Sequence, residues 1–310
     1  MIVTVTPNPS VDRTIFIDAL HTGKIMRSTR SWSEPSGKGV NVALALQAHD
    51  QPALAVLPVG GPAGAHLVEM LNQAGLRYQT VAIAGEVRIN ISLIQPDGIV
   101  TKINEQGPTL TDAEGQALLD AARARARTGE WLAGCGSLPG GLTDDYYAQL
   151  VETGHRAGAR VVIDTSGPAL IKALAAEPDL IKPNAEELAE AVSGIVTTFG
   201  DVVDAAHELR KRGAKAVLAS LGADGALLVG PSGVRHGRAP VEDVVSTVGA
   251  GDALLAGYLS STADTDDALK AALAWGAAAV QHHGTLFTTT HPPVPVALSE
   301  SVPLSQKLTK

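Results

Sequence analysis

A group of small residues in front of a carboxylate is the part of this sequence that most suggests chemistry. Gly249, Ala250 and Gly251 precede Asp252, and an apolar run typical of a buried helix follows. Glycine lets the backbone approach a ligand closely, and the free N–H groups at a helix start bind anions. A carboxylate beside such an anion hole can accept a proton from a hydroxyl while the hole holds the phosphoryl group under attack. The alternative is that Asp252 only caps a helix after a glycine turn.

Two better-known nucleotide-binding motifs are absent. The dinucleotide fingerprint needs a glycine three residues after Gly251, where Leu254 stands. A P-loop needs a glycine six residues before its lysine and a serine or threonine directly after it. For Lys38 these two positions hold Trp32 and Gly39. If the chain transfers phosphate, it uses a different loop.

A second glycine turn, around Lys38, also enters a predicted helix. Lys38 offers a positive charge to a phosphate, and Asn41 on the first helical turn offers hydrogen bonds to hydroxyls. Asp12 follows the first predicted strand, where a carboxylate is well placed for ligand hydroxyls. The alternatives are a solvated lysine and an Asx turn.

Residues 182–187 follow another predicted strand and allow two interpretations. Asn184 and Glu187 have the spacing of a helix capping box. The same side chains suit indirect contacts to Mg²⁺, which keeps several of its waters, and Lys182 suits a phosphate. Residues 220–226 indicate a strand end, a turn of small residues and a second apolar strand. That turn either admits a flat purine or is a plain hairpin.

The composition limits the classes of protein. The formal net charge of −8 over 310 residues argues against nucleic acid or an anionic membrane as a partner. A single cysteine, Cys135, excludes an internal disulfide and a cysteine-based zinc site, and we expect it to be a small buried residue. Since no leader pattern or membrane-spanning run is present, we expect a cytoplasmic protein.

Strand and helix patterns alternate along most of the chain, which predicts an α/β fold with a mostly parallel, doubly wound sheet and helices on both faces. The predicted strands are 2–6, 53–59, 131–135, 161–164, 180–182 and 216–221. The predicted helices are 39–48, 63–74, 111–127, 143–157, 185–192, 202–212, 251–260 and 264–282. The stretch from His291 to Lys310 is predicted to be irregular.

Two regions break this rhythm. Residues 12–35 have little helical character, and residues 88–104 alternate around a Pro-Asp-Gly turn signal. We expect them to form a small β-sheet lid that excludes water during group transfer. The alternative is a β extension that serves dimerisation or has no function.

The polar clusters follow the order of one known family. Over residues 4–286 the sequence resembles the ribokinase-like, or PfkB, family of carbohydrate kinases, and within it the branch of 1-phosphofructokinases and tagatose-6-phosphate kinases. In chain order the matching motifs lie at 8–12, 37–41, 88–90, 136–139, 182–187, 220–225 and 244–252. Two positions depart from the family pattern. Ser36 stands where a glycine is usual, and His282-His283 replaces smaller or amide residues near the expected adenine pocket.

The resemblance implies one ribokinase-like kinase domain over residues 1–310, with ATP and Mg²⁺ as cofactors. Asp252 would be the general base, with an anion hole at Gly249, Ala250 and Gly251. The residues implied for the nucleotide are Lys182, Ser220, Gly222, Gly225, Thr247 and Val248, and those for the metal are Asn184 and Glu187.

The resemblance also implies a sugar-phosphate site and a homodimer that forms through the lid. Arg27 and Arg88 would hold the phosphate already on the sugar, where paired contacts favour arginine. The residues implied for the rest of the sugar are Asp12, Gly37, Lys38, Asn41 and Ser137.

The predicted activity is transfer of the γ-phosphoryl group of ATP to a phosphorylated ketohexose. Fructose 1-phosphate, giving fructose 1,6-bisphosphate, ranks first, ahead of fructose 6-phosphate and tagatose 6-phosphate. An unphosphorylated sugar or nucleoside ranks lower, because Arg27, Lys38 and Arg88 would then lack a purpose. Two alternatives come from other classes: a noncatalytic sugar-binding regulator on the same fold, and a nicotinamide dehydrogenase.

Overall fold

A computed structural model of the chain describes residues 1–96, 98–261, 266–281, 284, 294–299 and 301–309. In these residues the strands are β1 (Ile2–Val5), β2 (Ser10–Phe16), β3 (Arg30–Ser36), β4 (Ala53–Val59), β5 (Tyr78–Ala82), β6 (Arg88–Ile94), β7 (Val100–Ile103), β8 (Trp131–Cys135), β9 (Arg160–Asp164), β10 (Leu180–Ile181), β11 (Val217–Ser220), β12 (Ala226–Gly230), β13 (Gly233–Arg238) and β14 (Ala297–Ser299). The helices are α1 (Lys38–Ala48), α2 (Gly61–Gln73), α3 (Asp112–Arg125), α4 (Tyr146–Arg156), α5 (Gly167–Leu174), α6 (Ala185–Ala191), α7 (Phe199–Lys211), α8 (Ala250–Ser260) and α9 (Asp266–Ala279).

The large sheet has the order β14-β13-β12-β11-β10-β9-β8-β1-β4-β5. The pairs from β5 to β11 are parallel, and β12 to β14 extend the sheet in antiparallel fashion. The chain runs outward from β1 through β4 to β5 and then returns to place β8 on the other side of β1. The order therefore reverses between β1 and β8, and ligands of open α/β sheets bind in the crevice at such a point.

Each face of this sheet is covered by its own apolar layer. Alternate side chains of one strand enter different layers, as Leu132 and Ala133 of β8 do. One layer contains residues of α1, α2, α8 and α9, and the other contains residues of α3 to α7. Burial on both faces explains why the strands are continuous apolar runs.

The second sheet has four strands in the order β3-β2-β6-β7. Strand β2 pairs antiparallel with β3 and parallel with β6, each over seven residue pairs. Arg30 of β3 lies over the rings of Phe16 and Trp32, with its guanidinium carbon 4.3 Å and 4.9 Å from the ring centroids. The two regions that broke the sequence rhythm therefore build one separate small sheet, as predicted.

The structure confirms the predicted fold class and most elements, and corrects others. Strand β5, helix α5 and strand β13 were not predicted, because their short runs carry weak periodicity. The prediction of an irregular C-terminal stretch is wrong for 297–299, which pairs with β13 as an edge strand. Residues 282–283 and 285–293 lie outside the described residues. Among those described, no helix has the length and apolar character to cross a membrane.

Candidate active site

Asp164 is the charged centre of the carboxyl edge of the large sheet. It ends β9 and is fully buried. Lys38, at the start of α1, donates to Oδ1 of Asp164 from 2.8 Å, and Nζ of Lys182, just after β10, lies 3.2 Å from Oδ2. Burial opposes the charge of Asp164, but Lys182 and Lys38 outweigh it and hold the pKa of the carboxyl below its ordinary value. Three chain segments thus meet at one carboxylate.

The pKa of Lys38 moves in the direction that this pairing requires. Burial alone would lower it, but the attraction of Asp164 and then of Glu187 outweighs burial, and the pKa of the ammonium group is raised. Nζ of Lys38 lies 3.4 Å from Oε1 of Glu187. Lys38 therefore stays charged, with about a third of its side chain exposed toward the crevice.

Asp252 is buried in the first turn of α8, and its pKa is raised to about 6. Burial is the main cause, and the negative charge of Asp164 adds to it. Asn41 of α1 opposes the shift by donating from Nδ2 to Oδ2 of Asp252 at 2.7 Å. Oδ1 of Asn41 is buried and has no hydrogen-bond partner among the described residues. The pair thus presents a carboxylate and a free acceptor side by side.

The turn before Asp252 has the form of an anion site. Gly249 adopts a left-handed φ of 77°, which favours glycine, and α8 begins at the next residue. The N–H groups of a first helical turn have no partner within the helix. A Cβ atom placed on Gly251 would lie 3.5 Å from Nζ of Lys182, so this amine stands beside the helix start. An anion here would meet N–H groups and an ammonium group together.

The loop that leads to α8 is held by local bonds. The N–H of Val248 donates to Oγ of Ser246 at 3.2 Å, and the N–H of Ala250 donates weakly to the carbonyl oxygen of Thr247 at 3.4 Å. Thr247 is exposed and Val248 is half-buried. Both directly precede the start of α8 in the chain.

Gly37 lies at the start of α1 in a comparable turn. Its φ is 118°, and a Cβ atom there would come within 2.8 Å of Cγ2 of Thr6. A side chain would therefore push the turn away from β1. The glycine brings Lys38 and Asn41 to the crevice beside that strand.

The predicted purine turn lies beside these groups. Ser220 forms an isolated parallel bridge with Asn184, and its N–H donates to the carbonyl oxygen of Pro183 at 3.0 Å. Gly222 and Gly225 both have positive φ, at 59° and 85°, and a single 3-10 turn separates β11 from β12. The turn is thus both the hairpin that one interpretation required and a surface of small residues.

Asn184 and Glu187 form the predicted capping box of α6. The N–H of Glu187 donates to Oδ1 of Asn184 at 2.8 Å, and the N–H of Asn184 donates to Oε2 of Glu187 at 2.9 Å. Among the described residues no group of three His, Cys, Asp or Glu side chains forms a metal cage. Each capping oxygen keeps a second lone pair, so the two residues fit a hydrated Mg²⁺ held through its waters.

Arg88 and Asp12 lie on the small sheet, close to the crevice. Arg88 donates from Nη2 to the carbonyl oxygen of Asn8 at 3.0 Å and from Nη1 to that of Glu105 at 3.1 Å. Burial lowers the pKa of Arg88, while Asp12 and Glu105 oppose the shift. Its Nε is buried and has no partner in the described part of the chain. Asp12 accepts from Ser10, Ser36 and Asn90.

The remaining sugar candidates differ in their placement. Ser137 follows β8, and its Oγ accepts from Nδ2 of Asn8 at 3.2 Å, which puts it at the β1–β8 crevice. Arg27 lies in the exposed segment between β2 and β3, and no hydrogen bond or ion pair joins it to another described residue. His282 and His283 lie outside the described residues. Cys135 is fully buried, as predicted, and burial raises the pKa of its thiol.

Sequence reasoning missed the central carboxylate. Asp164 ends a predicted strand, and the carboxyl end of a parallel strand is where ligand-binding groups gather. That signal was present but was not used. Asn90 was counted in a motif and given no role, although it donates to Asp12 at 2.9 Å.

Comparison with known proteins identifies the family. The sequence matches the pfkB family carbohydrate kinases over residues 5–291. It is 36% identical to the 1-phosphofructokinase of Bacillus subtilis over 260 residues, 84% of this chain and 85% of that protein. It is 38% identical to the 1-phosphofructokinase of Haloferax volcanii over 262 residues, 84% of each. The chain belongs to the pfkB family of carbohydrate kinases.

Solved structures agree with this assignment. Phosphofructokinase-2 from Escherichia coli, in complex with potassium, superposes with a TM-score of 0.88 at 32% identity, covering 93% of this chain and 94% of that one. A ribokinase from Arabidopsis thaliana, complexed with ribose and ATP, shares the fold with a TM-score of 0.74 at 22% identity, covering 92% and 94%. The chain is therefore a carbohydrate kinase with a ribokinase-like fold, and the nicotinamide dehydrogenase alternative is excluded.

The raised pKa of Asp252 makes the fold's stability depend on pH. A carboxyl whose pKa is higher in the folded state binds its proton more tightly there, so its stabilising contribution is lost as pH rises through about 6. We expect Asp252→Asn to raise the free energy of unfolding at pH 7 by roughly 1–3 kcal/mol. The gain should vanish near pH 4. Urea unfolding of the parent and of Asp252→Asn at pH 7 and pH 4 measures this difference in free energy. An equal gain at both pH values would contradict the prediction.

Removing the charge of Asp164 should destabilise the fold strongly, and a second substitution should restore part of the lost stability. Asp164→Asn leaves Lys182, only 4% exposed, without its carboxylate, and we expect a loss of about 3 kcal/mol or more. Adding Lys182→Met should recover part of this loss, because the unpaired buried charge is then gone. Unfolding free energies of both variants test the coupling. Asp204→Asn, at an exposed position on α7, is the matched control, and an equal effect there would refute the prediction.

Proposed function

We propose that this chain transfers the γ-phosphoryl group of ATP to a hydroxyl of a phosphorylated ketohexose. Fructose 1-phosphate, giving fructose 1,6-bisphosphate, is the first candidate. The observation that carries the proposal is Asp252, a buried carboxylate with a pKa of about 6, at a helix start beside Lys182. The names of the relatives from Bacillus subtilis and Haloferax volcanii support the choice of substrate.

In the proposed reaction Asp252 removes the proton from the acceptor hydroxyl. That oxygen then bonds to the γ-phosphorus of ATP as the bond to the ADP oxygen breaks. A pKa near 6 keeps the base deprotonated at pH 7 and still basic enough to take a proton. Gly249, Ala250 and Gly251 supply the N–H groups for the transferring phosphoryl oxygens, and the N–H of Ala250 would exchange its weak bond to Thr247 for one to the phosphoryl group. Lys182 adds a positive charge where the negative charge accumulates.

For the nucleotide we propose the crevice beside β11 and the loop before α8. Gly222 leaves open space beside Ser220, and Gly225 contributes the positive φ that closes the turn. Thr247 and Val248 border the helix start. Asn184 and Glu187 would hold a hydrated Mg²⁺ through its water ligands. A bound Mg²⁺ supplies charge neutralisation on the phosphates.

For the sugar phosphate we propose a site between the crevice and the small sheet. Asn41 offers its free Oδ1, and Lys38 and Asp12 offer opposite charges for the hydroxyls. Gly37 and Ser137 would complete the lining of this sugar site. Arg88 and Arg27 would hold the existing phosphate. The buried, unpartnered Nε of Arg88 supports its part, whereas Arg27 needs the segment between β2 and β3 to lie over the substrate.

Two other ketohexose phosphates remain in the proposal. Fructose 6-phosphate and tagatose 6-phosphate are near-isomers of the first candidate and would meet the same groups. The phosphofructokinase-2 from Escherichia coli that shares this fold was also solved in complex with fructose-6-phosphate, at 31% identity. A noncatalytic sugar-binding protein is the alternative from a different class.

ADP release from Mg-ATP tests the proposal. We expect turnover with one of fructose 1-phosphate, fructose 6-phosphate and tagatose 6-phosphate, and little with unphosphorylated fructose. Asp252→Asn should lower kcat by about 10²–10⁴ while sugar-phosphate binding persists, because the amide cannot take the proton. The parent's kcat/KM should fall as pH drops through about 6.

Asp243→Asn, in the exposed loop before α8, is the matched control for the charge change. Turnover only with unphosphorylated fructose would overturn the roles of Arg27 and Arg88 and leave Asp252 as the base. Binding of sugar phosphate without any turnover in the parent would favour the noncatalytic alternative.

We also propose a homodimer that forms through the small sheet. Ile25, Ile99 and Ile103 on this sheet and its loops are exposed, Ile25 by 90%. A contiguous surface of such residues would be typical of a protein interface. Light scattering should give twice the chain mass, and Ile103→Lys should shift the mass toward one chain. A parent that remains monomeric at high concentration would refute the dimer.

A further inference from the structure

Ser36 is a buried polar residue at the end of β3. It is 4% exposed. In the small sheet Ser36 stands opposite Ser10 of β2, and Asn90 of β6 stands opposite Asp12. Side chains two residues apart on a strand share a face, as do those of directly paired residues. Ser10, Asp12, Ser36 and Asn90 therefore form one polar patch on one face of the sheet.

The hydrogen bonds of this patch converge on Asp12. Its Oδ1 accepts from Oγ of Ser10 at 2.7 Å and from Nδ2 of Asn90 at 2.9 Å. Its Oδ2 accepts from Oγ of Ser36 at 2.9 Å. Asn90 also donates to Oγ of Ser10 at 3.1 Å, which ties the two donors of Oδ1 together. The carboxylate is thus held from both neighbouring strands.

The two oxygens of Asp12 are not equally occupied. An ionised carboxylate offers about four lone-pair sites, two on each oxygen. The two donors to Oδ1 fill its sites, whereas Ser36 fills one site of Oδ2. One acceptor site remains, on Oδ2, and its direction depends on how Ser36 orients the carboxylate.

We propose that Ser36 positions Asp12 so that Oδ2 accepts one substrate hydroxyl from a fixed direction, which makes the site selective for the configuration at that carbon. The inference rests on the proposed function, in which Asp12 contacts the sugar phosphate. A carboxylate held at both oxygens accepts a hydroxyl on only one side. Without Ser36 it can turn about its Cβ–Cγ bond and accept the epimeric hydroxyl as well.

Ser36 is not needed to hold the sheet together. Strands β2 and β3 pair over seven residues, from Ser10 with Ser36 to Phe16 with Arg30, through their backbones. The Ser36 hydroxyl adds one side-chain bond at the end of this ladder. Its distinctive effect is therefore on Asp12.

The experiment compares a fructose phosphate with the tagatose phosphate that carries its phosphate on the same carbon, since the two sugars differ in configuration at a single carbon. In Ser36→Ala we expect KM for the preferred epimer to rise about tenfold, a typical effect of losing a hydrogen bond to a charged group. KM for ATP and kcat should change less than twofold. The ratio of kcat/KM values for the two epimers should fall at least threefold.

Two further variants separate positioning from a structural role. Ser36→Thr keeps the hydroxyl and should restore most of the selectivity. Ser33→Ala makes the same change on the same strand, but on the other face, and should keep the parental ratio. Thermal unfolding shows whether each variant is folded.

The outcomes are distinct. An unchanged ratio and KM in folded Ser36→Ala, with an active parent, would overturn the role of Ser36 and leave the proposed function intact. Equal losses in Ser36→Ala and Ser33→Ala would also overturn it, as a general effect on the sheet. A parent that phosphorylates no ketohexose phosphate would overturn the proposed function, and this inference with it.

Discussion

A single buried carboxylate between two ammonium groups organises the site. Taking Asp164 and Lys182 out of water costs several kcal/mol per charge, so these buried groups are stable only as a close pair, to which the partly exposed Lys38 adds a second positive charge. This requirement draws the start of α1 and the end of β10 to the end of β9. Burial raises the pKa of Asp252, and the negative charge of Asp164 raises it further, to about 6. Asp164 therefore both pairs the two lysines and contributes to the raised pKa of Asp252, whose main cause is burial.

The site joins a rigid half to a smaller, separate half. The large sheet is covered by helices on both faces and presents Lys38, Lys182 and Asp252 from strand ends and helix starts. The small sheet carries Asp12 and Arg88 and meets the large one at the loop after β1. Arg88 is tied to that loop through the carbonyl oxygen of Asn8. The proposed substrate would lie where the two halves meet, and a movement of the small sheet would admit or enclose it.

The chemistry that this site supports costs stability. Asp252 is buried with its negative charge near Asp164, and only Asn41 donates to it directly among the described contacts. A better-solvated carboxylate would suit the fold and would be a weaker base. The glycines with positive φ at the two helix starts, Gly37 and Gly249, also lower the stability of the fold. They add chain entropy to the unfolded state and bring the backbone close to a ligand.

The sequence alone determined the alternation of strands and helices, the two β insertions and the family motifs, because these depend on local periodicity and on turn residues. It also indicated a capping box at Asn184 as one of two interpretations, and it predicted the burial of Cys135. Only the tertiary structure decided that Asp164 is shared by Lys38 and Lys182, residues 126 and 18 positions away from it in the chain. The same holds for Ser36 and Asn90, which reach Asp12 from two different strands. Strand order and register set such contacts, and no local pattern in the chain encodes them.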